Sequence, residues 1–585
     1  MPVAARTQTV RWMVTPLPPV DRIDELMRAC DLPRPIAAIM INRGMDTPEL
    51  VDQFLSPKLA RLEDPFSLLG MRAGVDRVCK ALRENEKIVV YGDYDVDGIT
   101  ATSLLYLTMN RLGAQVSYYL PNRLVEGYGL SKQGIDVAKG RGCSLIVTVD
   151  TGITAVKEIE YAREQGIEVV VTDHHEPSAV TPPAAAIVNP KMPGSNYRGG
   201  ELSGVGVAFK FAQGLYQTLG QNGDDLYEHL DLVALGTSAD IVPLSNENRI
   251  LTYFGINQIT RTNKPGLKWL FHVAGLQMDR EFSANHIVFV LAPRINAVGR
   301  LGDATLAIKL LTTRDDRLAS EIAHRLEDEN RRRKAIDEET LNQAVAQITR
   351  EVDLEGDSAI VLSSPGWHQG VIGIVASRIV EMHHLPTVMI AVDNGIGRGS
   401  ARSIPGFHIY DALRECEDLL EGFGGHKYAA GLVIRPERIE EFSLRFKEVS
   451  RRTLADDALI PKLHIDAEVE LEQVTPELLD TLDKFAPFGP QNMRPLFLTR
   501  NCEVVGDPMK VGRNHLRMRV RKGDAVFDTI GFGLGEMTAH LPSRGALIDI
   551  AYLAEYNFWR DAKRMQLQLK DVRFSTGSLN TGIIG

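Results

Sequence analysis

The chain has little with which to build a thiol-based site. Its five cysteines (Cys30, Cys79, Cys143, Cys416 and Cys502) lie far apart and form no CxxC pair. That argues against a zinc site and a disulfide framework, and fits a reducing compartment. No stretch approaches the ~18 uninterrupted apolar residues of a membrane span. The opening residues, MPVAARTQTVRW, lack the apolar centre of a secretory signal, so the cytoplasm is the expected location. No Walker A sequence occurs, and Gly395-x-Gly397-x-Gly399 lacks the strand–turn–helix spacing of a dinucleotide fingerprint, so ATP dependence is not indicated. There is no internal repeat and no low-complexity tract. Net positive charge is missing too: the formal total is −10. A carboxylate cluster that chelates cations lowers that total, however, while a local basic channel can still bind phosphates.

What is present is an ordinary globular composition, 44% hydrophobic and 24% charged over 585 residues. At ~150 residues each, that length suggests about three or four domains. Residues 1–70 carry several prolines and short apolar patches and read as an N-terminal extension without an evident role. From Lys87 the pattern changes. Residues 88–91, 115–119, 145–149 and 168–172 read as buried strands, with helices over 100–112 and 155–165 between them. Such alternation predicts an α/β fold with a parallel sheet covered on both faces. Residues 317–352 read as one long charged helix that joins domains, and a second α/β region follows. From about Lys462, short strands and Gly/Pro turns predict a small barrel.

The chemistry gathers at strand ends. The first strand runs into Gly92-Asp93-Tyr94-Asp95-Val96-Asp97-Gly98, with aspartates at alternate positions. Two further strands end in Val149-Asp150-Thr151-Gly152 and Thr172-Asp173-His174-His175, and Asp240 ends the apolar run 232–239. Any one of these is as readily a helix cap or turn former. As a set they are harder to dismiss. Neighbouring parallel strands are ~4.8 Å apart, and so many carboxylates side by side repel one another unless cations neutralise them. Oxygen-rich ligands suit Mg²⁺ or Mn²⁺, and an imidazole such as His174 tilts the choice toward Mn²⁺. Two such ions ~4 Å apart can clamp a phosphate and activate a water, with no side-chain nucleophile.

At these residues the chain resembles the DHH phosphoesterase superfamily, whose name is spelled by Asp173-His174-His175. Tyr91–Gly98, Val149–Gly152 and Ala239-Asp240-Ile241-Val242-Pro243 look like its other metal motifs. Many members begin the first motif with a metal-binding histidine. Here Tyr91 holds that place, and the GDYDVDG form is similar to the RecJ exonuclease branch, so whether Asp93 is a direct ligand stays open. Segments 293–300, 367–373, 399–403 and 424–431 also resemble that branch, the last two being similar to a DHHA1 substrate-binding domain.

The resemblance implies a DHH catalytic domain over 71–310, a connecting helix over 311–355, a DHHA1 domain over 356–455 and an OB-fold over 462–575. It implies a metal-dependent 5′-to-3′ exonuclease on single-stranded DNA, acting in repair and recombination. The expected ligands are Asp93, Asp95, Asp97, Asp150, His174 and Asp240, with His175 also catalytic. Arg123, Arg294, Ser400, Arg402 and His426 are expected near the end of the substrate strand, though an arginine could equally brace two domains. In 510–522 there are six Lys/Arg and no acid, and alternation puts Leu516, Met518 and Val520 inward with Arg517 and Arg519 outward. Such a face suits a single-strand backbone, or else merely blunts a sheet edge. A helicase and a single-strand-binding protein are the implied partners, and a monomer would suffice. Two rivals stand beside this reading: a DHH enzyme for short oligonucleotides, cyclic dinucleotides or pyrophosphate, and a non-catalytic replication scaffold.

Overall fold

The computed structural model describes residues 10–122, 126–127, 129–278, 282–539, 541, 545–559 and 562–575. The chain divides into two compact units. One comprises Glu63–Val242 and Phe254–Pro461; the other comprises Trp12–Leu62, Pro243–Tyr253 and the described residues from Lys462 onward.

The first unit opens with a five-stranded parallel sheet: β1 (Lys87–Tyr91), β2 (Gln115–Tyr119), β3 (Leu145–Val149), β4 (Glu168–Thr172) and β5 (Ala186–Val188). Its strand order is β2-β1-β3-β4-β5. The central strand β3, LIVTV, is buried along its whole length. Each such apolar side chain contributes about 1.5–3 kcal/mol when removed from water. Helices cover both faces. On one side lie α1 (Val96–Arg111) and α2 (Gly204–Thr218), with α3 (Leu230–Ala239) packed on both. On the other, Ile135 and Ile159 of two further helices join Tyr91 and Ile146 in one cluster.

The 36-residue α4 (Asp316–Glu351) starts at Asp315, whose carboxylate accepts the Arg317 and Leu318 N–H groups at 2.9 and 3.1 Å. At 1.5 Å per residue it is about 54 Å long. Its last turns, through Ala344 and Ile348, enter the core of a second sheet together with Ile360 and Val375. That sheet has the order β9-β10-β8-β7-β6, from β6 (Ile360–Ser364), β7 (Thr387–Asp393), β8 (Ile396–Arg402), β9 (Gly422–Gly425) and β10 (Ala429–Ile434). Only β6 and β7 run parallel; the other pairs are antiparallel. The helix α5 (Ile372–His383) packs on β7 and β8.

The second unit holds a closed barrel of β11 (Phe497–Val511), β12 (His515–Lys522), β13 (Ala525–Phe532), β14 (Leu547–Trp559) and β15 (Ala562–Phe574). Pairing of β11 with β14 closes it, so β12 lies inside the sheet between β11 and β13 rather than at an edge. The edge-blunting reading of its arginines therefore fails. The N-terminal segment also gains a role. Three short helices, Val20–Cys30, Arg34–Asn42 and Pro48–Leu55, place Ile23, Leu26, Ile36 and Ile39 in one core with Leu478, Phe485, Phe497 and Val504. Among the described residues no helix is long and apolar enough to cross a membrane.

Candidate metal centre

In the β2-β1-β3-β4-β5 order, chain connections leave β1 and β3 in opposite directions, and the crevice beyond their carboxyl ends is where such sheets take ligands. The acidic motifs fall there. Asp95 is the N-cap of α1 and accepts the Gly98 N–H at 3.0 Å. Asp97, in the first turn, is 2% exposed. Its two oxygens accept the N–H groups of Gly204 (2.6 Å) and Val205 (2.8 Å), at the start of α2. One buried carboxylate thus closes the open end of a second helix, where the macrodipole favours negative charge.

Asp150 follows β3 with φ 59°, a left-handed conformation that few non-glycine residues adopt and that short polar side chains tolerate best. Asp173 follows β4 and is not among the clustered ligand atoms. Its Oδ1 accepts the backbone N–H of His174 (2.7 Å) and of His175 (3.1 Å) and lies 2.8 Å from His175 Nδ1, while Oδ2 accepts the Ile153 N–H at 2.9 Å. Asp173 therefore aims the two histidines. Asp240, which ended an apolar run in the sequence, caps the C-terminus of the helix α3 rather than a strand.

These elements converge. His174 Nε2 is 3.0 Å from Asp150 Oδ1, 3.6 Å from Asp240 Oδ2 and 3.9 Å from Asp97 Oδ2. Ligand atoms lie within 4.8 Å of one another in three sets: Asp97, His174 and Asp240; Asp150, His174 and His175; Asp93, Asp95 and Asp150. His174 and Asp150 each belong to two of the sets, and Asp93 stands among the candidate ligands. Tyr91 does not. Its hydroxyl accepts the Ser131 N–H at 3.1 Å and lies 3.3 Å from the Gly129 carbonyl and Ser131 Oγ.

The electrostatics of the cluster favour a cation. Burial, then repulsion from Asp240 and Asp95, holds Asp97 well above the usual carboxylate range; burial, then the charges of Asp97 and Asp95, does the same for Asp150. Asp95 is raised by burial and by Asp240. Burial holds His174 below its ordinary value, leaving a neutral imidazole free to ligate. His175 differs. Burial would lower it, but its hydrogen bond to Asp173 and that carboxylate's charge outweigh burial and push it up to about 9. Asp240 Oδ2 and His174 Nδ1 are buried with no hydrogen-bond partner among the described residues. Unsatisfied buried acceptors beside mutually repelling carboxylates, with no thiolate in any set, fit a hard divalent cation.

The remaining expected residues divide. Arg123 lies outside the described residues. Arg294 is buried, its Nε 2.7 Å from Glu327 of α4 and its Nη1 donating to the Val290 carbonyl at 2.6 Å, so it braces that helix. Ser400 and Arg402 line one cleft, with Arg402 Nη1 donating to Ser400 Oγ at 2.9 Å. His426 lies close enough to His175 and Arg402 to feel both charges; burial lowers it first, and those charges lower it further. On the barrel, Leu516, Met518 and Val520 point inward and Arg517 and Arg519 outward. The basic run is partly neutralised across strands, however. Arg519 pairs with Asp528 at 3.0 Å and Arg521 with Glu503 at 2.6 Å, whereas Arg517 has no acidic partner among the described residues. Sequence reasoning missed the Gly204–Val205 support of Asp97, although Ser203, an N-cap accepting the Gly206 N–H, marked that helix start.

A barrel joined to a two-sheet unit with this cluster defines a metal-dependent phosphoesterase of the DHH type. Residues 87–237 match the DHH family N-terminal domain, 356–451 the DHHA1 domain and 465–571 the RecJ OB domain. The chain is 39% identical to the single-stranded-DNA-specific exonuclease RecJ of Bacillus subtilis over 97% of its own length and 72% of that protein. It is 35% identical to the Escherichia coli RecJ, covering 93% and 96% of the two chains. It is also similar to the crystal structure of Thermus thermophilus RecJ in complex with Mn²⁺ (TM-score 0.82, 32% identity, 96% and 79% coverage) and to the Mg²⁺ complex (TM-score 0.77, 30% identity, 96% and 78% coverage). The chain belongs to the RecJ exonuclease family.

Proposed function

We propose that this chain is a metal-dependent exonuclease that hydrolyses phosphodiester bonds of single-stranded DNA from the 5′ end, in DNA repair and recombination. The observation that carries this reading is the convergence of Asp93, Asp95, Asp97, Asp150, His174 and Asp240 at the crevice between β1 and β3. Those six residues would hold Mn²⁺ or Mg²⁺. Bound there, such ions stabilise charge on the phosphoryl group and lower the pKa of a water. The protein does the rest. Helix α2 fixes Asp97, Asp173 fixes the backbone of both histidines and the His175 imidazole, and His175, held above its ordinary value by Asp173 and half-exposed, can donate a hydrogen bond to a phosphate oxygen.

The cleft at Ser400 and Arg402 would take the terminal phosphate, and the barrel would follow the strand through Arg517. The expected setting is the cytoplasm, as a monomer assisted by a helicase and a single-strand-binding protein. The decisive test incubates the purified chain and an Asp97→Ala/His174→Ala variant with Mn²⁺ and single-stranded DNA labelled at either end. Progressive release of 5′ nucleotides, lost with chelator and in the variant, is the expected result. Metal-dependent binding without cleavage would instead establish a scaffold, and cleavage of only the shortest oligomers a small-substrate enzyme.

A further inference from the structure

We propose that Arg398 carries a second phosphate contact, one row out from the Ser400–Arg402 pair, so that this sheet grips two phosphates of the substrate rather than one. The inference rests on the nuclease reading and adds a substrate-contacting residue to it.

Strand β8 has two chemically distinct faces. On one, Gly397, Gly399 and Ala401 face the core; a Cβ at Gly399 would lie 2.7 Å from the Leu432 side chain, and one at Gly397 would lie 2.9 Å from Ile434. On the other, Arg398, Ser400 and Arg402 line a cleft of about 520 Å³. Alternate residues of a strand stand about 6.8 Å apart, so the three form a regular polar row.

Beside Ser400 the floor is glycine, and beside Arg398 it is Val433 followed by glycine. Across the sheet Ser400 is level with Gly431 and then Gly424, and Arg398 with Val433 and then Gly422. A Cβ on Gly422 or Gly424 would meet nothing within 4 Å, so packing does not require glycine at either place. What glycine leaves there is exposed backbone that a phosphate chain can approach closely. At the far wall the N-terminal turn of α5 opens on the same pair, since a Cβ on Gly373 would lie 2.8 Å from both Arg402 Nη2 and Ser400 Oγ.

The charge exceeds what one phosphate needs. Arg300, Arg398 and Arg402 line the cleft and no carboxylate does. Arg402 is tied down by Ser400 and by the Ala401 carbonyl at 2.8 Å, whereas Arg398 has no ion pair among the described residues. An arginine beside Val433 and a largely glycine strip, with no acid to neutralise it, is suited to an anion from outside. Two phosphates on one chain could come from a 5′-terminal triphosphate or from the terminal phosphate plus that of the adjoining nucleotide.

The test uses the full chain and one single-stranded oligonucleotide carrying a 5′ hydroxyl, monophosphate or triphosphate. Binding is measured by fluorescence anisotropy in chelator, and KM and kcat with Mn²⁺. Arg398→Gln should weaken binding and raise KM about tenfold with kcat unchanged, Arg398→Lys should restore most of it, and Arg451→Gln, at an exposed arginine that does not line the cleft, should do neither. Loss confined to the triphosphate end identifies a terminal polyphosphate, and loss on every end the adjoining nucleotide's phosphate. Unchanged binding and KM on all three ends, or a loss no greater than that of Arg451→Gln, overturns the proposal. If the wild-type chain releases no nucleotide, the nuclease reading fails while the anisotropy comparison still decides for or against Arg398.

Discussion

A Cβ placed on Gly204 would lie 2.6 Å from Oδ1 of Asp150, closer than real Cβ contacts come. The same residue donates its N–H to Asp97, so a single glycine at the start of α2 touches two expected ligands from opposite sides of the crevice. Gly204→Ala should therefore push Asp150 or the helix end out of place. Metal affinity or activity should fall about 10–100-fold, the usual cost of disturbing a ligand's support. Titration of Mn²⁺ against activity checks this, and wild-type behaviour would mean that the crevice tolerates the added methyl.

Asp173 accepts three backbone N–H groups and the His175 imidazole, and despite its burial the hydrogen bond and charge of His175 hold it below the usual carboxylate range. In Asp173→Asn one acceptor oxygen becomes a donor that faces N–H groups. We expect a loss of about 1–3 kcal/mol in stability for the unsatisfied group. Activity should drop more steeply than that, because both histidines lose their orientation. Urea denaturation alongside turnover would test it. Full activity in a destabilised variant would assign Asp173 to folding alone.

Raised carboxylate pKa values make the metal-free protein sensitive to base. Asp97 and Asp150 keep protons in the folded state that the unfolded chain has already released. With the folded state binding more protons, stability falls as pH rises from the ordinary carboxylate value through the raised folded values. Divalent cations displace those protons, so binding strengthens in the same direction. The rise in Tm on adding Mn²⁺ should accordingly be larger at about pH 8 than at about pH 5.5. Scanning calorimetry in chelator and in Mn²⁺ measures both, and an equal rise at the two pH values would count against carboxylate ligation.

Arg517 and Arg519 project from the same face of β12, yet Asp528 engages only Arg519. An arginine already paired releases less on meeting a phosphate. Arg517→Gln should thus weaken binding to long single strands more than Arg519→Gln does. It should also reduce the slope of log K against log salt by about 0.7, the value for one phosphate contact on a single strand. Salt titrations of the two variants distinguish them, and identical slopes would remove the barrel face from the binding path.

Local pattern was enough for much of the fold. Apolar β-branched runs such as LIVTV set strands 145–149 and 168–172 to the residue, because a strand buried on both faces shows as a continuous apolar stretch, whereas 115–119, QVSYY, has the expected bounds but is a partly exposed edge strand rather than a buried one. The long helix expected over 317–352 runs Asp316–Glu351, its periodicity being too sustained to misread. The clean alternation around Arg517 likewise gave the inward Leu516, Met518 and Val520 and the outward Arg517 and Arg519 of β12.

By itself, then, the sequence determined which residue types stand at the strand ends, because backbone pattern and side-chain chemistry are written along the chain. Tertiary structure alone decided how they meet. Asp240 arrives from a helix C-terminus, Asp97 is fixed by N–H groups more than 100 residues away, and Arg294 is taken up by Glu327. The helices of the first 62 residues find their core some 400 residues downstream, and Arg519 finds its acid on the next strand. Each of these depends on contacts between segments distant in sequence, and no local periodicity encodes a partner that only folding brings within reach.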